Sequence, residues 1–253
     1  MSRTELKGKS ALVSGAARRI GRQIATALAD AGVNVLIHYR HSSEEAERLR
    51  TELIVRGVNA WLVRADFDSG ESVQELFENA VKLAGSIDFL VNSASSFTPS
   101  TLDTIDFAQL MRDMQINAWA PFSLSRQFAR HFGRGKIVNL LDTRITGYDR
   151  SHVGYILSKR VLSALTEIMA VEFAPHISVN AVAPGLILPP PGKDQGYLDE
   201  LAATLPLKRH GDLSDVTEAV LYLLRSDFMT GQVLFIDGGR HLMELSRGPH
   251  HNQ

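Results

Sequence analysis

The chain has 253 residues, 44% hydrophobic and 22% charged, a balance that fits one α/β domain and excludes wholesale disorder. Its 27 Lys and Arg against 28 Asp and Glu leave a net charge of -1, too weak a field to hold it on a nucleic acid or an anionic membrane. With no cysteine there are no disulfides, thiolates or Cys-ligated metals; the start MSRTELKGKS lacks an apolar signal segment, and a soluble cytoplasmic protein is expected.

Short aliphatic runs predict strands at residues 11–13, 33–37, 60–63, 89–91, 136–141, 178–182 and 232–236. Several are apolar almost throughout, as strands buried on both faces of a parallel sheet require. Between them lie helical stripes. Ile20, Ile24, Ala27, Leu28 and Ala31 share one face before Gly32 stops the helix, and Leu162, Leu165 and Met169 repeat the pattern. This alternation predicts a doubly wound parallel sheet of about seven strands with helices on both faces, in a single domain over 1–253. The segment from Leu188 to Lys208, with its Pro189-Pro190-Pro191-Gly192 run, reads as an insertion over the sheet edge, a candidate lid within a substrate loop of about 186–210. The polar tail at about 246–253 is expected to fray.

The first strand runs into Gly15-Ala16-Ala17-Arg18-Arg19-Ile20-Gly21. A glycine-bearing turn before a helix lets backbone N–H groups and the helix dipole meet a pyrophosphate, although this spacing is not GxGxxG and a plain strand–helix turn is the rival reading. The second strand ends in His38-Tyr39-Arg40-His41-Ser42. An NAD site places a carboxylate there. Arg40, His41 and Ser42 instead suit a phosphorylated ribose, with Arg18 and Arg19 in reach, so NADPH is the expected cofactor, with Tyr39 and Asn92 also expected among the residues that bind it. Alternatively, Arg40 and His41 are solvated and Ser42 or Ser43 only caps the next helix. Asp66-Phe67 after the third strand suits an adenine edge or an ordinary turn.

Tyr155 and Lys159 lie four apart on one helical face. An ammonium near a phenol favours the phenolate and is expected to lower the Tyr155 pKa from about 10. Asp142 stands at the end of the preceding strand, where open α/β sheets place chemistry; capping a turn is its rival role. His152 and His210 lack metal-spaced partners and read as surface residues; no metal is expected. Arg126, Arg130, Arg134 and Lys136 read as a solvated helix end, a docking patch for an acidic carrier protein being the sharper alternative.

Taken in order, Gly15…Gly21, Asn92-Ser93-Ala94-Ser95, Asn117, Tyr155…Lys159, Pro184-Gly185 and Asp237-Gly238-Gly239 resemble the short-chain dehydrogenase/reductase family over nearly the whole chain. The resemblance implies a Rossmann-like fold, NAD(P) binding, hydride transfer and a homotetramer. It makes Tyr155 the acid/base, lets Lys159 hold the nicotinamide ribose, and has Asn117 support a water linked to Lys159. Asp142 stands where the family has Ser, and Arg19 where it has a middle Gly. Together with His38-Tyr39 and Ala94-Ser95-Ser96-Phe97, these departures resemble the pteridine reductase branch. The ending Asp237-Gly238-Gly239-Arg240-His241-Leu242 is similar to its bacterial dihydromonapterin (dihydrofolate) reductases. The implied substrate is a dihydropterin or folate, with Ser95, Phe97, Asp142, Tyr155 and Leu186 around it, Phe97 covering one ring face, and Asp142 with Tyr155 relaying a proton to a ring nitrogen. Ile187 replaces a hydroxyl residue common in relatives. A 3-oxoacyl-carrier-protein or other carbonyl reductase, and a catalytically dead NADP-sensing protein, are the alternatives.

Overall fold

The computed structural model describes residues 4–190 and 192–245; the expectations for Pro191 and for a frayed tail lie outside them. In chain order the elements are β1 (Ser10–Ser14), α1 (Arg19–Asp30), β2 (Asn34–Tyr39), α2 (Ser43–Val55), β3 (Ala60–Arg64), α3 (Gly70–Ala84) and β4 (Phe89–Asn92). Next come α4 (Phe107–Met114), a π-helical turn (Gln115–Trp119), α5 (Ala120–Phe132), β5 (Gly135–Leu140), a 3-10 turn (Thr143–Thr146) and α6 (Val153–Glu172). β6 (Ile177–Pro184), α7 (Gln195–Ala202), α8 (Leu213–Arg225), β7 (Val233–Ile236) and α9 (Arg240–Leu245) complete the order.

All strand pairs are parallel, in the order β3-β2-β1-β4-β5-β6-β7. Residue alternation along each strand sends side chains to opposite faces. On β1, Ala11 and Val13 join a core with Ile24, Leu28, Val220 and Leu224, which covers one face with α1, α2 and α8. Leu12 points the other way and packs with Phe77, Leu124, Phe128 and Met169 of α3, α5 and α6. Each such Leu or Phe contributes about 1.5–3 kcal/mol by leaving water. The seven expected strands and the helices between them are all present. The lid segment departs from expectation: beyond its prolines it forms α7, whose start is capped by the Asp194 carboxylate accepting from Tyr197 N at 3.3 Å. Arg130 lies exposed in the last turn of α5, as the basic helix end requires, whereas Arg134 lies past that end and Lys136 within β5, where it pairs with Asp227 at 2.8 Å. No helix among the described residues is long and apolar enough to cross a membrane.

The strand order reverses between β1 and β4, paired in register with Ser14 opposite Asn92. Connections leaving the carboxyl ends of these two strands diverge to opposite faces, which opens a crevice there. The candidate site occupies it.

Candidate active site

A cleft of about 750 Å³ opens over those strand ends, bounded by the first turn, the loop after β4, Asp142, Tyr155 and α7. A more open groove of about 820 Å³ lies along α2, lined by its surface charges, and gathers no comparable set of groups.

The first turn is built without side chains where it meets its neighbours. Gly15 has φ +66°, and a Cβ there would stand 2.8 Å from Ala94 Cα; a Cβ on Gly21 would stand 2.3 Å from Gly15 O. Arg19, where the family's middle glycine is expected, takes φ 53° and opens α1. An L-residue held in the left-handed region costs about 1–2 kcal/mol, so the surrounding packing must over-determine it. Its guanidinium donates to Pro189 O at 2.9 Å and so ties the turn to the far lip of the cleft. Arg18 pairs with Glu45. The turn is held from below by His38. Gly15 N donates to its Nδ1 at 3.0 Å, its Nε2 faces Ala65 O at 3.3 Å, and its ring stacks on Phe67 at 4.4 Å. Burial lowers the His38 pKa to about 4, which keeps the ring neutral and able to accept.

Strand alternation decides which neighbours reach the cleft. His38 and Arg40 face it, with Asp66, Phe67 and Ile20. Tyr39 points to the opposite face and lines the α2 groove, a correction to the sequence expectation. His41 and Ser42 do not line the cleft either; Ser42 precedes α2 and its side chain makes no capping bond. Arg40 donates to Asp66 at 2.8 Å and to Asp68 at 3.1 Å.

Asn92 also lies beneath the cleft rather than in it: its amide donates to Asn139 Oδ1 at 2.8 Å and Ser125 Oγ at 3.2 Å, joining β4 to β5 and α5. Ser14 Oγ accepts from Ser93 N and Ala94 N, both at 3.0 Å, which shapes the next loop. Asn117 sits in the π-turn and holds that loop against α6. Its Oδ1 accepts from Ser96 N at 2.8 Å and Ser95 Oγ at 3.1 Å; its Nδ2 donates to Ser96 O and Ser158 Oγ, both at 3.0 Å. The Lys159 ammonium donates to Leu140 O at 2.6 Å.

Asp142 faces the cleft. Tyr155 Oη donates to its Oδ2 at 3.0 Å, and Arg144 reaches both carboxylate oxygens, Nε to Oδ1 and Nη2 to Oδ2, each at 3.1 Å. The capping reading also holds, since Arg144 N donates to Oδ1 at 2.8 Å. Burial pushes the Asp142 carboxyl up, but the Arg144 charge and the bonds from Arg144 and Tyr155 outweigh it and hold the group below the usual carboxylate range. Tyr155 moves the other way. Burial and the Asp142 carboxylate push the phenol well above 10, against the partial opposition of Arg144. The expected lowering by Lys159 is therefore absent: its ammonium lies 5.8 Å from the Tyr155 ring centre, and burial lowers its own pKa to about 8.

Three neighbours escaped the sequence reading. Arg144 also pairs with Asp149, which accepts from His152 Nδ1 at 3.1 Å. His152 is no surface residue: it stacks on Phe97 with ring centres 3.9 Å apart, while Tyr155 meets the same ring edge-on at 4.7 Å. One face of Phe97 is thus already covered by an imidazole. His210 is likewise partnered, by Gln195 at 2.7 Å and Asp199 at 3.5 Å. A His three residues before a Tyr was the available signal for His152. Gly185 and Leu186 line the cleft beyond Pro184, which is buried at the end of β6. Ile187 turns into the core at 5% exposure, so its missing hydroxyl is not a loss at the cleft. Leu188, Pro190, Tyr197, Leu198 and Leu201 form an apolar lip.

Comparison with known proteins matches the assembly to a family. Residues 15–241 fit the model described as "Enoyl-(Acyl carrier protein) reductase". The chain belongs to the short-chain dehydrogenase/reductase family and is an oxidoreductase of that family. The 3-oxoacyl-(acyl-carrier-protein) reductase FabG of Staphylococcus epidermidis is 32% identical over 244 residues, 92% of this chain and 99% of the relative. FolM Alternative dihydrofolate reductase 1 from Brucella canis, solved complexed with NADP, superposes with a TM-score of 0.90 at 32% identity, covering 98% of this chain and 99% of that one. The Brucella suis FolM complex with NADP gives 0.88 at 32% identity, covering 94% and 97%.

Proposed function

We propose that the protein is an NADPH-dependent pteridine reductase that converts a dihydropterin or dihydrofolate to its tetrahydro form. The observation that carries this reading is the Asp142 carboxylate, ionised and bonded to Tyr155 Oη in a cleft walled by Phe97. The likeness to FolM structures solved with NADP supports it.

The residues present fit the coenzyme. Gly15 and Gly21 let the first turn pack closely on Ala94 and on itself, and the turn lines the cleft at the start of α1, where backbone N–H groups would meet a pyrophosphate. Arg18, Arg19 and Arg40 supply cations toward a 2′-phosphate, and Asp66, Phe67, Ala94 and Ser95 line the adjoining wall. When bound, NADPH supplies a hydride. The chain's own part is the proton. A ring C=N gains hydride at carbon and must gain a proton at nitrogen, and Tyr155, kept protonated by burial and by Asp142, is the donor. Its departure leaves a phenolate beside a carboxylate, so the cations Arg144 and Lys159 on either side offset the second negative charge. Lys159 thus acts after proton loss rather than before it. The apolar lip from α7 excludes water from the transfer.

A carbonyl reductase acting on 3-oxoacyl thioesters is favoured by one observation, the 32% identity to FabG. NADPH oxidation with dihydromonapterin, dihydrobiopterin, dihydrofolate and acetoacetyl thioesters separates the two. Turnover of pterins supports the first reading, turnover of thioesters alone supports the second, and no turnover of either favours a binding protein without catalysis. We further propose a homotetramer, on the resemblance and on the exposed apolar side chains Phe107, Met111, Val161 and Val171 of α4 and α6; light scattering giving a monomer mass contradicts it.

A further inference from the structure

Asp142 carries more partners than a turn cap or a proton relay requires. An ionised carboxylate offers about four acceptor positions. Here Oδ1 takes Arg144 N and Nε, and Oδ2 takes Arg144 Nη2 and Tyr155 Oη, so all four are filled. The guanidinium grips the carboxylate with two parallel N–H bonds, a geometry only Arg provides. Its third nitrogen, Nη1, is held by Asp149, and the same Asp149 oxygen accepts from His152. His152 in turn stacks on Phe97, and the Arg144 guanidinium lies 5.5 Å from the centre of that ring. One carboxylate therefore braces the aromatic wall and the acid together. Side-chain exposures are 7% for Asp149, 15% for Asp142 and 18% for Arg144, so little water competes for these bonds. Capping the 3-10 turn accounts for a single bond of the set.

We infer that Arg144, braced by Asp149, is a positioning residue that fills the acceptor capacity of Asp142 and so fixes where Tyr155 Oη points, leaving Tyr155 and not Asp142 to meet the substrate. This rests on the reading of Tyr155 as proton donor. It also revises the expectation that Asp142 binds substrate and shuttles the proton: with four donors on it, the carboxylate accepts nothing further without losing one. The groups facing Asp142 are few. Arg144 comes from its own turn, Asp149 and His152 from the segment entering α6, Tyr155 and Lys159 from α6, and Asp237 and Arg240 from beyond β7, Asp237 reaching the neighbouring Thr143. Among the described residues Arg144 alone of the cations touches the carboxylate; Lys159 is engaged with Leu140 O. Removing Arg144 leaves a buried carboxyl with one neutral donor from a side chain, and burial then drives it toward its protonated form.

The test reads Asp142 directly in the coenzyme-free chain, by ¹³C carboxyl NMR titration assigned with Asp142→Asn. The carboxyl of the unsubstituted protein is expected to stay ionised through neutral pH. In Arg144→Met its titration is expected to move up by about one unit or more, a tenfold change in proton affinity. Arg144→Gln, which keeps a neutral donor beside the carboxylate but no charge, is expected to move it in the same direction by less; it is also the fallback if Arg144→Met does not fold. Activity on whichever substrate turns over is expected to fall about tenfold or more in kcat, with KM for NADPH unchanged, and Arg144→Lys is expected to restore the titration but only part of kcat, lacking the fork. An unmoved carboxyl titration in both Arg144→Met and Arg144→Gln overturns the inference whatever the substrate is. A substrate panel that fails while the titration shifts instead sinks only the pteridine reading.

Discussion

Gly15→Ala isolates what the first turn requires. The new methyl meets two penalties. At φ +66° an L-residue costs about 1–2 kcal/mol. Its Cβ also stands 2.8 Å from Ala94 Cα and 3.0 Å from Ala94 N, both backbone atoms that cannot swing aside, and overpacking of this kind costs about 1–3 kcal/mol more. Gly57→Ala is the internal control: φ is +87° and nothing lies within 4 Å of the added methyl, so only the first penalty applies. Any gain from a stiffer unfolded chain is common to both variants. Urea unfolding should therefore place Gly15→Ala below Gly57→Ala by about 1–3 kcal/mol. Fluorescence titration should show NADPH affinity reduced about tenfold or more in the first, since relief of the clash moves the loop after β4 away from the turn, and unchanged in the second. Equal destabilisation of the two variants with unaltered NADPH binding would refute the close approach as the reason for glycine here.

Other expectations follow from named groups. The His38 pKa falls from 6.5 to about 4 on folding, so between those values the unfolded chain holds a proton that the native state does not. Stability should rise with pH across that window by an amount on the order of 3 kcal/mol, and His38→Gln, which can still accept from Gly15 N, should flatten the rise in unfolding curves at pH 4.5–6.5; an identical slope contradicts it. Asp142→Asn removes the negative charge that raises the Tyr155 phenol, so its ultraviolet titration should move to lower pH. Pterin turnover in that variant should drop about 10²-fold while NADPH affinity holds within about twofold; parallel loss of both would show a structural role. Arg40→Ala frees the cleft-lining Asp66 to face a ribose hydroxyl, while Asp68 stays paired with Arg112, and deletes a phosphate contact worth about 1.5–3 kcal/mol. Steady-state comparison should show the preference for NADPH over NADH falling about 10–150-fold, and an unchanged ratio would remove Arg40 from the phosphate site.

The strands were legible because burial on both faces leaves them almost wholly apolar, as in the runs at 35–37 and 89–91. The Asp142–Tyr155 bond was legible because strand end and helix face are both local patterns. Tyr39 was misplaced because a loop motif was read where strand alternation rules. Helix α7 was hidden by the prolines ahead of it, though Asp194 signalled a cap. Arg144 and Asp149 left no periodic trace, since their pairing depends on how a short turn folds back over Asp142. Asn92 and Asn117 match family positions, and only the structure shows their amides bonding strands and loops together beneath the cleft.

A ternary crystal structure with NADP and a pterin tests the central claim most directly. The account predicts the flat ring along the Phe97 wall, a ring nitrogen within hydrogen-bond reach of Tyr155 Oη, and Asp142 still gripped by Arg144. A pterin seated elsewhere, or bonded to Asp142 with Tyr155 turned away, would contradict it.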